Sequence, residues 1–139
     1  MSWLTDRFTD AVHYTDMVEH VAAGARVLTA GLDNNKTFVW NHAAPGPITL
    51  PAVTNKGFKC KVIVGLALTS DAVVSSAEGD NMEGAIDVAD AVVTVNAADD
   101  INFVDTAENI GDWATFESDG VNWYVDGRAL TTAAMTATG

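Results

Sequence analysis

From Arg26 onward, no stretch of this chain runs much beyond ten residues before glycine, proline, asparagine or aspartate interrupts it. That punctuation leaves no room for long helices and asks for many short strands joined by turns. Arg26–Ala30 is a first run, stopped by Gly31-Leu32-Asp33-Asn34-Asn35. Lys36–Asn41 follows and is dense in β-formers, then Ile48–Leu50 between the prolines of Ala44-Pro45-Gly46-Pro47 and Pro51. Gly57–Leu66 is the longest candidate. It alternates at first and is then continuously apolar, so it is expected to start at an edge and run into the core. Ala72–Ser75, Gly84–Asp87, Ala91–Val95 and Ile101–Val104 complete the middle of the chain. Turn clusters at 78–81, 97–100 and 109–112 lie among these runs. Such spacing predicts an all-β fold, a small β-sandwich or barrel of about 8–10 short strands. No internal repeat is visible.

The strongest local signal is Gly111–Gly127. It reads as two strands over a Ser118-Asp119-Gly120 turn, with Trp113, Phe116, Trp123 and Tyr124 along the arms. Core packing accounts for most rings at strand-like positions, among them Phe38, Trp40, Phe58 and Phe103. Trp113 and Trp123 lie on opposite arms and are the candidates for an exposed aromatic face.

Residues 1–24 differ in pattern. Leu4, Phe8, Ala11, Val18, Val21 and Ala22 follow a rough helical stripe that Gly24 could cap, and Asp6, Asp10, His13, Asp16 and Glu19 occupy the polar side. Val12, Tyr14 and Met17 fall off the stripe, so a short helix and an extended arm both remain open. The expected division is an N-terminal arm or helix at 1–24 and a β domain at 25–139. The last ten residues are small and neutral, expected to be loose or to pair with a neighbouring subunit. An arm exposing Trp3, Leu4, Phe8 and Tyr14 needs a partner to cover it.

Charge narrows the partners. The formal net charge is −12. Residues 1–61 hold six bases against five acids, while residues 62–139 hold Arg128 alone against fourteen acids. Such a chain repels nucleic acid. Such a charge fits solubility or adaptation to a salty medium, and its asymmetry also permits a basic half that docks on something acidic and an acidic half that faces solvent. No apolar run approaches the ~20 residues of a membrane span, and no basic-then-apolar leader opens the chain, so neither membrane nor secretory signal is expected. Release from a cell would then need another route, such as lysis. Cys60 is the single cysteine. Alternation sets it with Phe58 and Val62, as a buried, inert thiol.

Chemistry-bearing patterns are thin, and the chain is not expected to be an enzyme. His13, His20 and His42 sit in the arm or beside the Pro-Gly-Pro loop, with no nucleophile elbow to serve. No catalytic residue, cofactor site or metal site is assigned. One cysteine and scattered histidines cannot make a zinc set. Asp80 with Glu83, Asp99 with Asp100 and Asp105, and Asp119 with Asp126 could offer oxygens to calcium, but none matches a calcium-loop pattern. Gly79–Gly84 lacks the lysine of a phosphate loop.

Ile48-Thr49-Leu50-Pro51, followed by Gly57–Val64, resembles a phrase of tailed-phage virion proteins. Gly79–Gly84 and the Gly111-Asp112-Trp113 to Ser118-Asp119-Gly120-Val121-Asn122-Trp123-Tyr124-Val125 hairpin resemble its continuation. The resemblance spans about residues 26–128. It implies a small β-domain structural protein, most like a head decoration (cement) protein. Such a protein binds the outer surface of the capsid and stabilises the shell by clamping neighbouring subunits. The implied partners are the major capsid protein and other copies of the chain, as a homotrimer at three-fold positions, assembled in the host cytoplasm. Contacts to the capsid are expected from Trp3, Leu4, Phe8 and Tyr14. The alternative implied function is a receptor- or glycan-binding module of a tail or head fibre.

Overall fold

A computed structural model describes residues 17–139. Its strands are β1 (Val18–Val21), β2 (Arg26–Val27), β3 (Thr37–Trp40), β4 (Ile48–Thr49), β5 (Lys59–Val64) and β6 (Ala72–Ser75). They continue with β7 (Met82–Val88), β8 (Ala91–Ala98), β9 (Asp100–Phe103), β10 (Trp113–Ser118), β11 (Trp123–Ala129) and β12 (Met135–Thr138). One helical turn, α1 (Ala30–Asp33), lies between β2 and β3. A seven-stranded sheet runs β1-β3-β5-β10-β11-β7-β8, and a five-stranded sheet runs β12-β9-β6-β4-β2. The two pack together as a small sandwich, so the all-β expectation holds.

The first six strands alternate between sheets. β1, β3 and β5 lie side by side and parallel in one, while β2, β4 and β6 do the same in the other. The chain therefore winds as a flattened coil. Each turn brings it back beside itself: Val18 to Thr37, then Lys61, in one sheet, and Arg26 to Ile48, then Val74, in the other. A crossover to the second sheet supplies the long connection that parallel neighbours need. The hairpins β7–β8 and β10–β11 then complete the larger sheet with antiparallel pairs.

Alternation decides which side chains enter the layer between the sheets. Phe38 and Trp40 from β3, Val62 and Val64 from β5, Phe116 from β10 and Trp123 from β11 are fully buried there. Ile101 and Phe103 of β9 and Ile48 of β4 meet them from the other sheet. Gly84 marks the closest backbone approach. Its φ is +140°, and a Cβ there would collide with the Val125 carbonyl oxygen, so the β7–β11 pairing requires glycine.

Several expectations change. The helical stripe extended through Val18, Val21 and Ala22, but Val18–Val21 is a strand paired with β3. Four residues with apolar side chains at both ends satisfy either period, and the neighbouring strand decides. The division at residue 24 therefore falls after a strand of the sheet, and Gly24 (φ +96°) belongs to the turn into β2, not to a helix cap. The C-terminal residues are not loose, nor do they need another subunit to pair. Met135–Thr138 pairs antiparallel with β9, and Ala134 and Met135 are fully buried. β5 is central, and Ile63 in its apolar half turns to the half-buried outer face. The Arg26–Ala30 run is a two-residue strand followed by α1. Twelve strands form among the described residues, more than the 8–10 expected.

Candidate functional site

The outer face of the seven-stranded sheet is where the fold leaves chemistry accessible. Register alignment places Thr37, Lys61, Thr115 and Asp126 in one row across β3, β5, β10 and β11. Val39, Ile63, Trp113 and Arg128 form the row on one side of it. Lys59, Glu117 and Tyr124 form the row on the other. Between the Thr37 row and the Lys59 row runs a groove of about 450 Å³, with Asn35 and Lys36 at its β3 end.

Lys61 and Thr115 line the groove at its middle. The Lys61 ammonium sits 4.7 Å from the centre of the Trp113 ring. That cation–π contact ties the lysine to the neighbouring row. Tyr124 is held at the opposite wall, its hydroxyl donating to Asp119 Oδ2 at 3.1 Å. Asp119 organises the hairpin turn as well. Its Oδ1 accepts the N–H groups of Val121 and Asn122, both at 2.8 Å. The Asn122 and Val121 N–H bonds hold its carboxyl below the usual aspartate pKa, with the Tyr124 hydroxyl adding to them.

Lysines gather at this end of the sheet. Lys36, Lys59 and Lys61 line the groove, and Lys56 packs beside Gly120 at its margin. Over residues 17–61, five bases stand against Glu19 and Asp33, a net +3. Between Asp71 and Glu108 there are ten acids and no base. That segment supplies strands of both sheets, and Glu83 and Asp87 of β7 with Asp90 of the β7–β8 turn lie at the far side of this one. The sheet is thus polarised across its width, over three to four strand spacings of ~4.8 Å each.

Arg26 and Asp33 hold the lysine-bearing side together. Arg26 donates to Glu19 Oε2 and to Asp33 Oδ1, both at 2.8 Å, and Lys36 lies 3.4 Å from Asp33. Burial alone would raise the Asp33 pKa. The Thr29 N–H and the Arg26 guanidinium outweigh it and hold the carboxyl below 3.8.

The other sequence candidates are placed as follows. Trp123 is fully buried, edge-on to Phe58 at 5.8 Å, and cannot meet a ligand. Trp113 is half-buried on the outer face. Hairpin register thus separates the two tryptophans onto opposite faces and opposite ends. Cys60 is buried, and desolvation with the nearby Asp33 charge pushes its thiol up to about 12. His42 is exposed, and its Nδ1 accepts the Ala44 N–H at 3.2 Å. Two of the acids tie separate segments together: Asp99 accepts the Asp80 N–H, and Glu83 accepts the Ala97 N–H at 3.2 Å. Among the described residues, no three metal-ligating side chains come together. Trp3, Leu4, Phe8 and Tyr14 lie outside the described residues.

Sequence reasoning missed Tyr124, Thr115 and Asn35. Period-two alternation carried part of the signal, since Tyr124 must face out if Trp123 faces in, and Lys59 and Lys61 must share a face. No family model, curated protein or solved structure matches the chain.

Proposed function

We propose that this chain is a decoration protein of a tailed-phage head, seated on the outside of the shell and stabilising it by clamping neighbouring capsid subunits. The observation that carries the reading is the polarity of the seven-stranded sheet. Lys36, Lys59 and Lys61 offer a docking face for an acidic partner surface, while Glu83, Asp87 and Asp90 at the far side stay hydrated. The phage-like phrase adds support, because its segments include β5, β10 and β11, which build this face. Exposed ion pairs contribute little singly, so several lysines acting together with apolar contacts from residues 1–16 are needed.

Electron microscopy of virions locates the protein directly. Finding it on the tail, or absent from the particle, overturns the reading. Purified heads test the face: Lys59→Glu with Lys61→Glu is expected to abolish binding. Removing residues 1–16 tests the arm and leaves β1 in place.

A second reading, a glycan-binding module of a fibre, is favoured by one observation. The exposed Tyr124 ring lines a groove that carries both lysine donors and the carboxylates of Glu117 and Asp126. Glycan-array binding that Tyr124→Ala removes would establish it.

A further inference from the structure

Among the described residues, the seven-stranded sheet ends in two edge strands, β1 and β8. β8 spans Ala91–Ala98 without a charged side chain. Beside it at the sandwich margin, Thr131–Gly139 also carries none. β12 does not cover β8. Asp99 N–H donates to Thr138 C=O at 2.8 Å, and from there a gap of about 460 Å³ opens between Thr94–Ala98 and Ala137–Gly139.

Hairpin geometry shows which backbone groups of β8 are free. Val88 pairs with Ala91 across the two-residue Ala89-Asp90 loop. In such a hairpin the closing pair exchanges both hydrogen bonds, and bonded and non-bonded pairs alternate from there. Val92 and Thr94 therefore turn their N–H and C=O groups away from β7. Val92 is also 63% exposed. A long, uncharged, β-branched edge with free backbone groups is a template for another strand.

We infer that β8 pairs with β1 of a second copy of this chain, so that the sheet continues from one copy into the next. Charge selects this partner. A two-fold β8–β8 pairing would bring Asp90 of each copy towards Asp99 and Asp100 of the other, on a chain already at −12. β1 instead belongs to the lysine-bearing side, so the opposite poles of two copies meet. β1 also presents a matching edge. Thr37 N–H donates to Met17 C=O and Asn41 N–H to Val21 C=O, at 2.8 and 3.1 Å. In a parallel ladder this turns residues 17, 19 and 21 to β3 and leaves Val18 and His20 facing outward. Val18 is 54% exposed on the same outer face as Val92. Glu19 points inward and is neutralised by Arg26, so it does not block the edge. The contact is head-to-tail and closes into a ring when the angle between copies permits. It deepens the self-association that the phage resemblance implies by naming its two surfaces, and it needs no phage head.

Light scattering on the purified chain tests it. Thr94→Pro and His20→Pro each remove an outward N–H, at edge positions where proline is tolerated. Thr94→Lys and His20→Lys block the same edges without touching the backbone, and they replace any proline variant that unfolds. Wild type is expected to form one multimer of defined mass. Each variant is expected to be a monomer with unchanged circular dichroism. An equal mixture of Thr94→Pro and His20→Pro is expected to give a dimer, because one intact β8 meets one intact β1. A monomeric wild type at micromolar concentration overturns the inference. So does a His20→Pro chain that associates like wild type, since a β8–β8 contact leaves β1 out. Neither result bears on binding to heads, which the Lys59 and Lys61 variants report separately.

Discussion

Trp40 on β3 and Phe103 on β9 meet edge to face across the two sheets, with ring centres 5.1 Å apart and planes at 74°. Both are fully buried, and the Trp40 Nε1–H has no conventional acceptor. Trp123, the other described buried indole without an acceptor, stands in the same relation to Phe58. An aromatic neighbour is the remaining electron-rich surface for such an N–H. Phe103→Ala is expected to cost about 3–5 kcal/mol of stability in urea unfolding, with Phe103→Leu between it and wild type. Equal losses for Ala and Leu would show that shape does not matter at this contact.

Asp33 makes the fold acid-sensitive. Its folded pKa lies below its unfolded value of 3.8, so its contribution is fully present above that value. The contribution is lost as pH falls through the depressed folded pKa. Asp33→Ala leaves Arg26 and Lys36 without their buried partner. It is expected to cost about 1–3 kcal/mol at pH 7, because both cations are partly exposed and Arg26 keeps Glu19. Against wild type, the variant should lose less further stability between pH 5 and 2, a difference that chemical denaturation at each pH measures.

Cys60 carries the opposite sign. Its folded pKa is raised to about 12, so the neutral thiol favours the native state below the unfolded pKa. Above pH ~9 the unfolded chain releases this proton first, and stability should fall by about 1.4 kcal/mol per pH unit. Cys60→Ala should flatten that slope. A thiol reagent at neutral pH is expected to label the wild-type chain only as it unfolds.

Gly84→Ala should destabilise the chain by more than the few tenths of a kcal/mol typical of a surface change, because the Cβ meets the Val125 carbonyl in a positive-φ position. A thermal melt reads the loss, and an unchanged melting temperature would mean that β7 can shift away from β11.

The hairpin of β10 and β11 was legible in the sequence because everything that specifies it is local. Ser118, Asp119 and Gly120 build the turn, and alternation sorts Trp123 inward and Tyr124 outward. The coil of β1 to β6 was not legible. Its successive turns differ in length, from nineteen residues between Val18 and Thr37 to twenty-six between Ile48 and Val74, so no repeat registers. β12 was missed for a related reason. Met-Thr-Ala-Thr has little intrinsic preference, and only the ladder with β9 orders it. The groove draws on β3, β5 and the distant β10–β11 hairpin, and its Lys61 rests on Trp113, a contact between residues fifty-two positions apart.

β1 and β12 lie at opposite margins of the sandwich. A tether at the N-terminal strand and a load at the C-terminal one would therefore pull across the strands rather than along them. The load would enter the larger sheet through the β1–β3 ladder and the smaller one through the β12–β9 ladder. β1 and β12, each four residues long and paired on one side only, are the rungs expected to peel first.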